Sequence, residues 1–210
     1  MAHFYNDHQK HNTAFPNNVI LIGVTGSGKS SSGWLLAHLI GFGFIDLDQM
    51  IEETAKKSVA QIFAESGADH FRQLEKDAVQ QLKGIRHSVI AVGGGGCVDP
   101  ENWETFTKLG TIVWLNCPPL EIAKRLLMKP DELRRRPLLA DLVEISDKLD
   151  RLNKLNVRIN ELIESRSKQY AQAELTLNCA HATRETMSHL LRDLVMSRAH
   201  QQAPDPKVYS

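Results

Sequence analysis

Cysteine is scarce, net charge is absent, and no apolar run is long enough to cross a bilayer. The three cysteines, Cys97, Cys117 and Cys179, are odd in number and far apart in a chain of 210 residues. That argues against a disulfide framework or a cysteine-rich zinc site, and points to reduced, partly buried thiols in a cytoplasmic protein. With 25 basic and 25 acidic side chains, no bulk charge is available to hold nucleic acid or an anionic membrane. The lack of a long hydrophobic segment removes a membrane span from the reading. A chain of this length suits one domain with a sizeable core.

What is present is a short hydrophobic strand, residues 19–22, running into Gly23-Val24-Thr25-Gly26-Ser27-Gly28-Lys29-Ser30. This fits G-x-x-x-x-G-K-[ST], the phosphate-binding loop. Glycines let the backbone curl so that successive N–H groups face a polyphosphate. Lys29 supplies a positive charge, expected to face solvent, and Ser30 supplies a hydroxyl for Mg²⁺. The helix starting near Ser30 presents its positive end to the same phosphates. The chain is therefore read as an ATP or GTP protein.

Strands and helices alternate along the rest of the sequence. Further strands are expected at residues 44–46, 88–92, 111–116 and 175–177. Helices are expected at 30–40, with Trp34, Leu35, Leu39 and Ile40 on one face, across 49–83 with a break near Gly67, and along 143–173. The alternation predicts a five-stranded parallel sheet in a three-layer α/β/α domain, with ligands beyond the carboxyl ends of the strands. Residues 1–18 lack the apolar segment of a signal peptide and the Arg and Ser enrichment of a transit peptide. They are expected to form a flexible tail, despite His3, His8 and His11. Residues 199–210 are read as a second tail, leaving 19–198 as the single domain.

Polar groups at the strand ends form the candidate site. Asp46-Leu47-Asp48 follows the second strand; if extended, it would turn both carboxylates to one side. One could hold Mg²⁺ and the other could accept a hydroxyl proton, although either could instead cap a helix. Gly93-Gly94-Gly95-Gly96 follows the third strand and permits close contact between backbone and ligand, or simply a tight turn. Arg72 and Glu75 lie three apart on a helix, the spacing of a surface ion pair. Arg134-Arg135-Arg136 precedes Pro137, which a helix rarely passes, so a mobile cationic loop is expected there. Asn178 and Cys179 are positional candidates for the rim of an adenine site.

Taken in order, these segments resemble the shikimate kinase family from about residue 19 to 194. The resembling pieces are GVTGSGKS, Phe44-Ile45-Asp46-Leu47-Asp48, Phe71-Arg72-Gln73-Leu74-Glu75, Val92-Gly93-Gly94-Gly95, Arg136-Pro137-Leu138-Leu139, and Arg166 with Tyr170. The resemblance implies a P-loop, nucleoside-monophosphate-kinase-like fold. Substrate-binding helices would lie at about 49–83 and a mobile lid at about 128–141. It also implies transfer of the ATP γ-phosphate to the 3-hydroxyl of shikimate. By similarity Gly26, Ser27, Gly28, Lys29, Ser30 and Ser31 hold ATP, and Ser30 with Asp46 serves Mg²⁺. Asp48, Arg72, Gly94 and Arg166 bind shikimate, and Arg136 reaches ATP from the lid. Lys29, Asp48 and Arg136 are then the catalytic residues. The physical reading agrees: two arginine forks suit the one carboxylate of shikimate, and Asp48 with backbone N–H groups suits its three hydroxyls.

The sequence departs from the family at Ala68, where glutamate is usual, and at Lys129, where an arginine is often found. The stretch between Leu139 and Arg166 is also longer, with a Leu149, Leu152, Leu155, Ile159, Leu162 stripe expected to pack on the core of a monomer, a dimer contact remaining open. A gluconate-type kinase and a module without turnover are the alternatives.

Overall fold

The computed structural model describes the backbone of residues 17–202 and side chains as far as Arg198. The expected tails and the three N-terminal histidines fall outside these residues, apart from Asn17, Asn18 and the end of the last helix. Five parallel strands, β1 (Asn18–Ile22), β2 (Gly43–Asp46), β3 (Ser88–Ala91), β4 (Thr111–Asn116) and β5 (Leu175–Asn178), lie in the order β2-β3-β1-β4-β5. Parallel neighbours need crossovers, and helices supply them. These are α1 (Lys29–Ile40), α2 (Leu47–Ala55), α3 (Val59–Gln81), α4 (Pro100–Leu109), α5 (Pro119–Leu127), α6 (Pro130–Arg134), α7 (Lys148–Glu164), α8 (Ser167–Tyr170) and α9 (Arg184–Gln202).

Strand β1 explains the three layers. Val19 and Leu21 join one apolar cluster with Leu36, Ile122, Leu155 and Leu191. Ile20 and Ile22 join the other with Ile51, Phe71, Phe106 and Tyr170. Successive strand side chains point to opposite faces, so α1, α5, α7 and α9 cover one side and α2, α3, α4 and α8 the other. The strand order reverses at β1, with β3 and β4 on either side. The loop leaving β1 therefore opens into the crevice where such sheets bind ligands.

Two helical expectations need correction. Helix α1 does not turn Trp34 and Leu39 inward; they are 57% and 40% exposed, and Ser32, Gly33, Leu36 and Ala37 are buried instead. The helix lies too close to the sheet for large residues: a methyl group on Gly33 would sit 2.8 Å from Leu21. The helix expected along 143–173 is also broken. A 3₁₀ turn at Ala140–Glu144 precedes α7, which starts at an Asp147 cap. The chain then bends at Ser165 and Arg166 before α8. Of the stripe on α7, Leu155 and Ile159 are buried, Leu152 and Leu162 lean on the core, and Leu149 is exposed. The break near Gly67 is present, and its φ of 79° and ψ of 177° require glycine although the space around it is open.

Asn18, read from the sequence as tail, is a buried knot. Its side chain donates to the carbonyls of Ile85 and Leu109, both at 2.8 Å, and accepts from the Ser88 N–H at 3.0 Å. It thus ties the start of β1 to the segments that begin β3 and β4. Asn18→Ala leaves two buried backbone groups and one part-buried one without their partner. We expect unfolding free energy to fall by about 3 kcal/mol or more, measured by urea denaturation.

Candidate active site

The phosphate loop reaches its shape through Gly23, Gly26 and Gly28, at φ of 145°, 82° and 101°. Lys29 is not solvent-facing as expected. It is buried, and its ammonium donates to the Gly23 and Val24 carbonyls at 2.8 and 3.1 Å. Burial lowers its pKa from 10.5 to about 8; Asp48 opposes that shift and the cation of Arg136 adds to it. Ser30 and Ser31 lie on the exposed side of the first turn, and Ser31 donates to Gly28 O at 3.2 Å. Ser27 turns inward, and its hydroxyl has no partner among the described residues.

Asp46 and Asp48 do not share an extended segment. Asp46 caps α2, accepting at one oxygen from the N–H groups of Asp48 and Gln49 at 3.0 and 3.3 Å. Asp48 sits in the first helical turn. Its pKa rises from 3.8 to about 6, chiefly by burial and then by the neighbouring charge of Asp46, against the pull of Lys29. Both carboxylates nevertheless act on Lys29, so they reach the same region.

The four glycines are a cradle for charge. A methyl group at Gly93 would lie 2.6 Å from Asp48 Oδ1, and at Gly95 2.6 Å from Arg72 Nη2. At Gly96 it would lie 2.7 Å from Glu75 Oε1, and at Gly94 3.1 Å from Arg166 Nη1. Arg166 and Tyr170 both donate to the Gly94 carbonyl at 2.8 Å, which explains why the chain bends between α7 and α8. Tyr170 is fully buried and stacks on Trp114.

The Arg72–Glu75 pair is not a surface pair. Glu75 is 1% exposed, its Oε2 accepts from Arg72 at 2.6 Å, and its Oε1 has no partner among the described residues. Burial raises its pKa, while Arg72 resists the shift. The sequence carried a signal for this: Phe71, Glu75, Ala78 and Val79 share the buried face of α3.

The segment expected as an irregular lid contains α6 and the 3₁₀ turn, anchored by the buried Leu133, Leu139 and Leu142. Its cations have local partners: Arg134 with Asp131 and Arg136 with Glu132, both at 3.5 Å, and Lys129 with Glu132 at 2.8 Å. Arg136 also donates to the Thr25 hydroxyl of the phosphate loop.

These elements enclose a cleft of about 170 Å³ lined by Thr25, Asp48, Arg72, Gly94, Arg136 and Arg166 among others. Four of its walls carry no assigned role in the sequence reading: Thr25, Glu52, Phe63 and Glu75. Lys129 does not line it, whereas Arg135 does. A larger groove of about 410 Å³ between α3 and α4 opens at the amino ends of the strands, away from the phosphate loop. Cys179, a candidate for an adenine rim, is fully buried. Cys97, Cys117 and Cys179 are free thiols. Among the described residues no cluster of three His, Cys, Asp or Glu side chains could hold a metal, and no helix is long and apolar enough to cross a membrane.

Comparison with known proteins gives a consistent result. The family described as shikimate kinase matches residues 25–195. The shikimate kinase of Chlorobium limicola is 40% identical over 76% of this chain and 76% of its own. That of Persephonella marina is 38% identical over 77% of this chain and 88% of its own. Among solved structures, shikimate kinase from Acinetobacter baumannii in complex with shikimate superposes with a TM-score of 0.73. It has 26% identity and covers 87% of this chain and 94% of its own.

The proximity of Lys29 and Asp48 generates a titration test. Lys29 should titrate near 8, well below ordinary lysines. Asp48→Asn removes a charge that favours the ammonium, so the Lys29 value should drop further. Carbon-13 shifts of the lysine ε-carbons report it directly; an unchanged value would show that the two groups do not interact.

Proposed function

The chain belongs to the shikimate kinase family, an ATP-dependent phosphotransferase family, and we propose which of its residues bind and phosphorylate shikimate. The observation that carries the reading is the joint placement of Asp48, Arg72, Gly94 and Arg166 in one cleft with Arg136 of the lid. Shikimate offers a carboxylate and three hydroxyls. Arg72 and Arg166 flank the glycine turn and present planar donors to the carboxylate. The backbone at Gly94 and the carboxylate of Asp48 serve the hydroxyls.

Gly26, Ser27, Gly28, Lys29, Ser30 and Ser31 receive the ATP phosphates. The Lys29 ammonium, already beside the loop carbonyls, follows charge that develops on the transferring group. Arg136 adds a second cation from the lid. Asp48 accepts the proton of the 3-hydroxyl as the oxygen attacks. The Ser30 hydroxyl and the Asp46 oxygen not used in capping are hard donors that fit Mg²⁺ alongside phosphate oxygens. When bound, Mg²⁺ neutralises phosphate charge. We read the working unit as one chain. We place it in the cytoplasm, in keeping with its free thiols.

The direct test is ADP release with shikimate, gluconate and nucleoside monophosphates in parallel. Turnover is expected with shikimate alone; turnover with gluconate and not shikimate would overturn the assignment.

The raised pKa of Asp48 adds a pH prediction. The ionised form is the proton acceptor, so kcat/KM for shikimate should fall as pH drops through about 6. An acid limb near 4 would exclude Asp48 as the group that titrates. The stability consequence has the opposite sign. Because the folded pKa lies above the unfolded one, the fold binds a proton more tightly. Stability is therefore lost as pH rises from about 4 through about 6. Asp48→Asn should thus raise the thermal midpoint at neutral pH while abolishing turnover.

A further inference from the structure

Thr25 occupies a position that the phosphate-loop motif leaves open. The motif needs its glycines, lysine and serine, and it uses backbone N–H groups between them. The Thr25 side chain is therefore free for other work. Its hydroxyl accepts a hydrogen bond from Arg136 Nη1 across 111 residues of sequence. Its backbone lies against the glycine turn, where a methyl group on Gly94 would come within 3.2 Å of the Thr25 nitrogen. It also lines the cleft with Asp48, Arg72 and Arg166. Thr25 is thus where the phosphate loop, the glycine turn and the lid meet.

Arg136 needs such a contact. Its only ion-pair contact within 4 Å among the described residues is Glu132, at 3.5 Å and on its own segment. Its Nε is buried with no partner there. A guanidinium has five donors in a rigid plane, so fixing one end of the plane aims the rest. We infer that Thr25 is a positioning residue, whose hydroxyl holds the lid arginine over the phosphate loop and directs its remaining donors toward the transferring phosphoryl group. The hydroxyl acts here as the acceptor for the arginine. Holding the arginine in advance lowers the ordering cost of closing the lid on nucleotide. The identity of the phosphorylated substrate rests on the function proposed above; the link between Thr25 and Arg136 does not.

The test is a double-mutant cycle with Thr25→Val, which keeps shape and removes the hydroxyl, and Arg136→Ala. Steady-state constants for both substrates and calorimetric ATP affinity are measured for each protein. Thr25→Val should lower kcat/KM for ATP by about tenfold, the size expected for one charged hydrogen bond. Its KM for shikimate should stay within about twofold. Thr25→Ser should restore the loss, and Thr25→Val should add nothing in the Arg136→Ala background. Two results would overturn the inference: multiplicative losses in the double variant, or Thr25→Ser as impaired as Thr25→Val. If Thr25→Val does not fold, Thr25→Ala takes its place in the cycle. If the wild-type protein does not turn over shikimate, the functional reading fails. The cycle on ATP affinity still decides the role of Thr25.

Discussion

Charged side chains can meet at this site because the backbone at residues 93–96 carries nothing that would hold them apart. Asp48 from α2, Arg72 and Glu75 from α3, and Arg166 before α8 each come within a methyl group's reach of one of the four glycines. A side chain at any of them would push a functional group outward. Strand β3 lies next to β1, so the same turn also stands beside the phosphate loop. One absence of bulk therefore sets the distance between the phosphate loop and the residues proposed to hold the acceptor.

The site concentrates charge that water does not screen. Lys29 and Glu75 are buried, and Lys29, Asp48, Glu75 and Arg136 all have pKa values moved mainly by desolvation. Each shift is partly opposed by a neighbour: Asp48 supports Lys29, Lys29 supports Asp48, and Arg72 supports Glu75. Such an arrangement costs stability in the folded protein and strengthens electrostatic interactions with anionic ligands. The knot at Asn18 and the two apolar layers provide the frame that tolerates it.

The long segment between Leu139 and Arg166 serves this geometry at a distance. Leu155 and Ile159 seat α7 on the sheet's α1 side. The bend at Ser165 and Arg166 then carries Arg166 and Tyr170 to the Gly94 carbonyl. A continuous helix would have aimed both side chains along one uninterrupted face instead.

The alternation of short apolar runs with helices was legible because parallel strands buried on both faces must be apolar throughout. The phosphate loop was legible because its backbone shape demands particular residues at fixed spacing. Gly67 as a break was legible for the same reason. The face of α1 was not: it depended on how closely the helix approaches Leu21, which periodicity does not encode. The bend before α8 has no local signal either, because it is imposed by a contact 72 residues away. The burial of Lys29 has no sequence signal, because carbonyls of its own loop are invisible as partners in a one-dimensional pattern. Sequence alone determined the residue types that phosphate chemistry and a parallel sheet require. Tertiary structure decided which charges are desolvated, which glycines face which side chains, and that Thr25 meets Arg136. Those outcomes depend on packing between distant segments, and only the closed fold sets their distances.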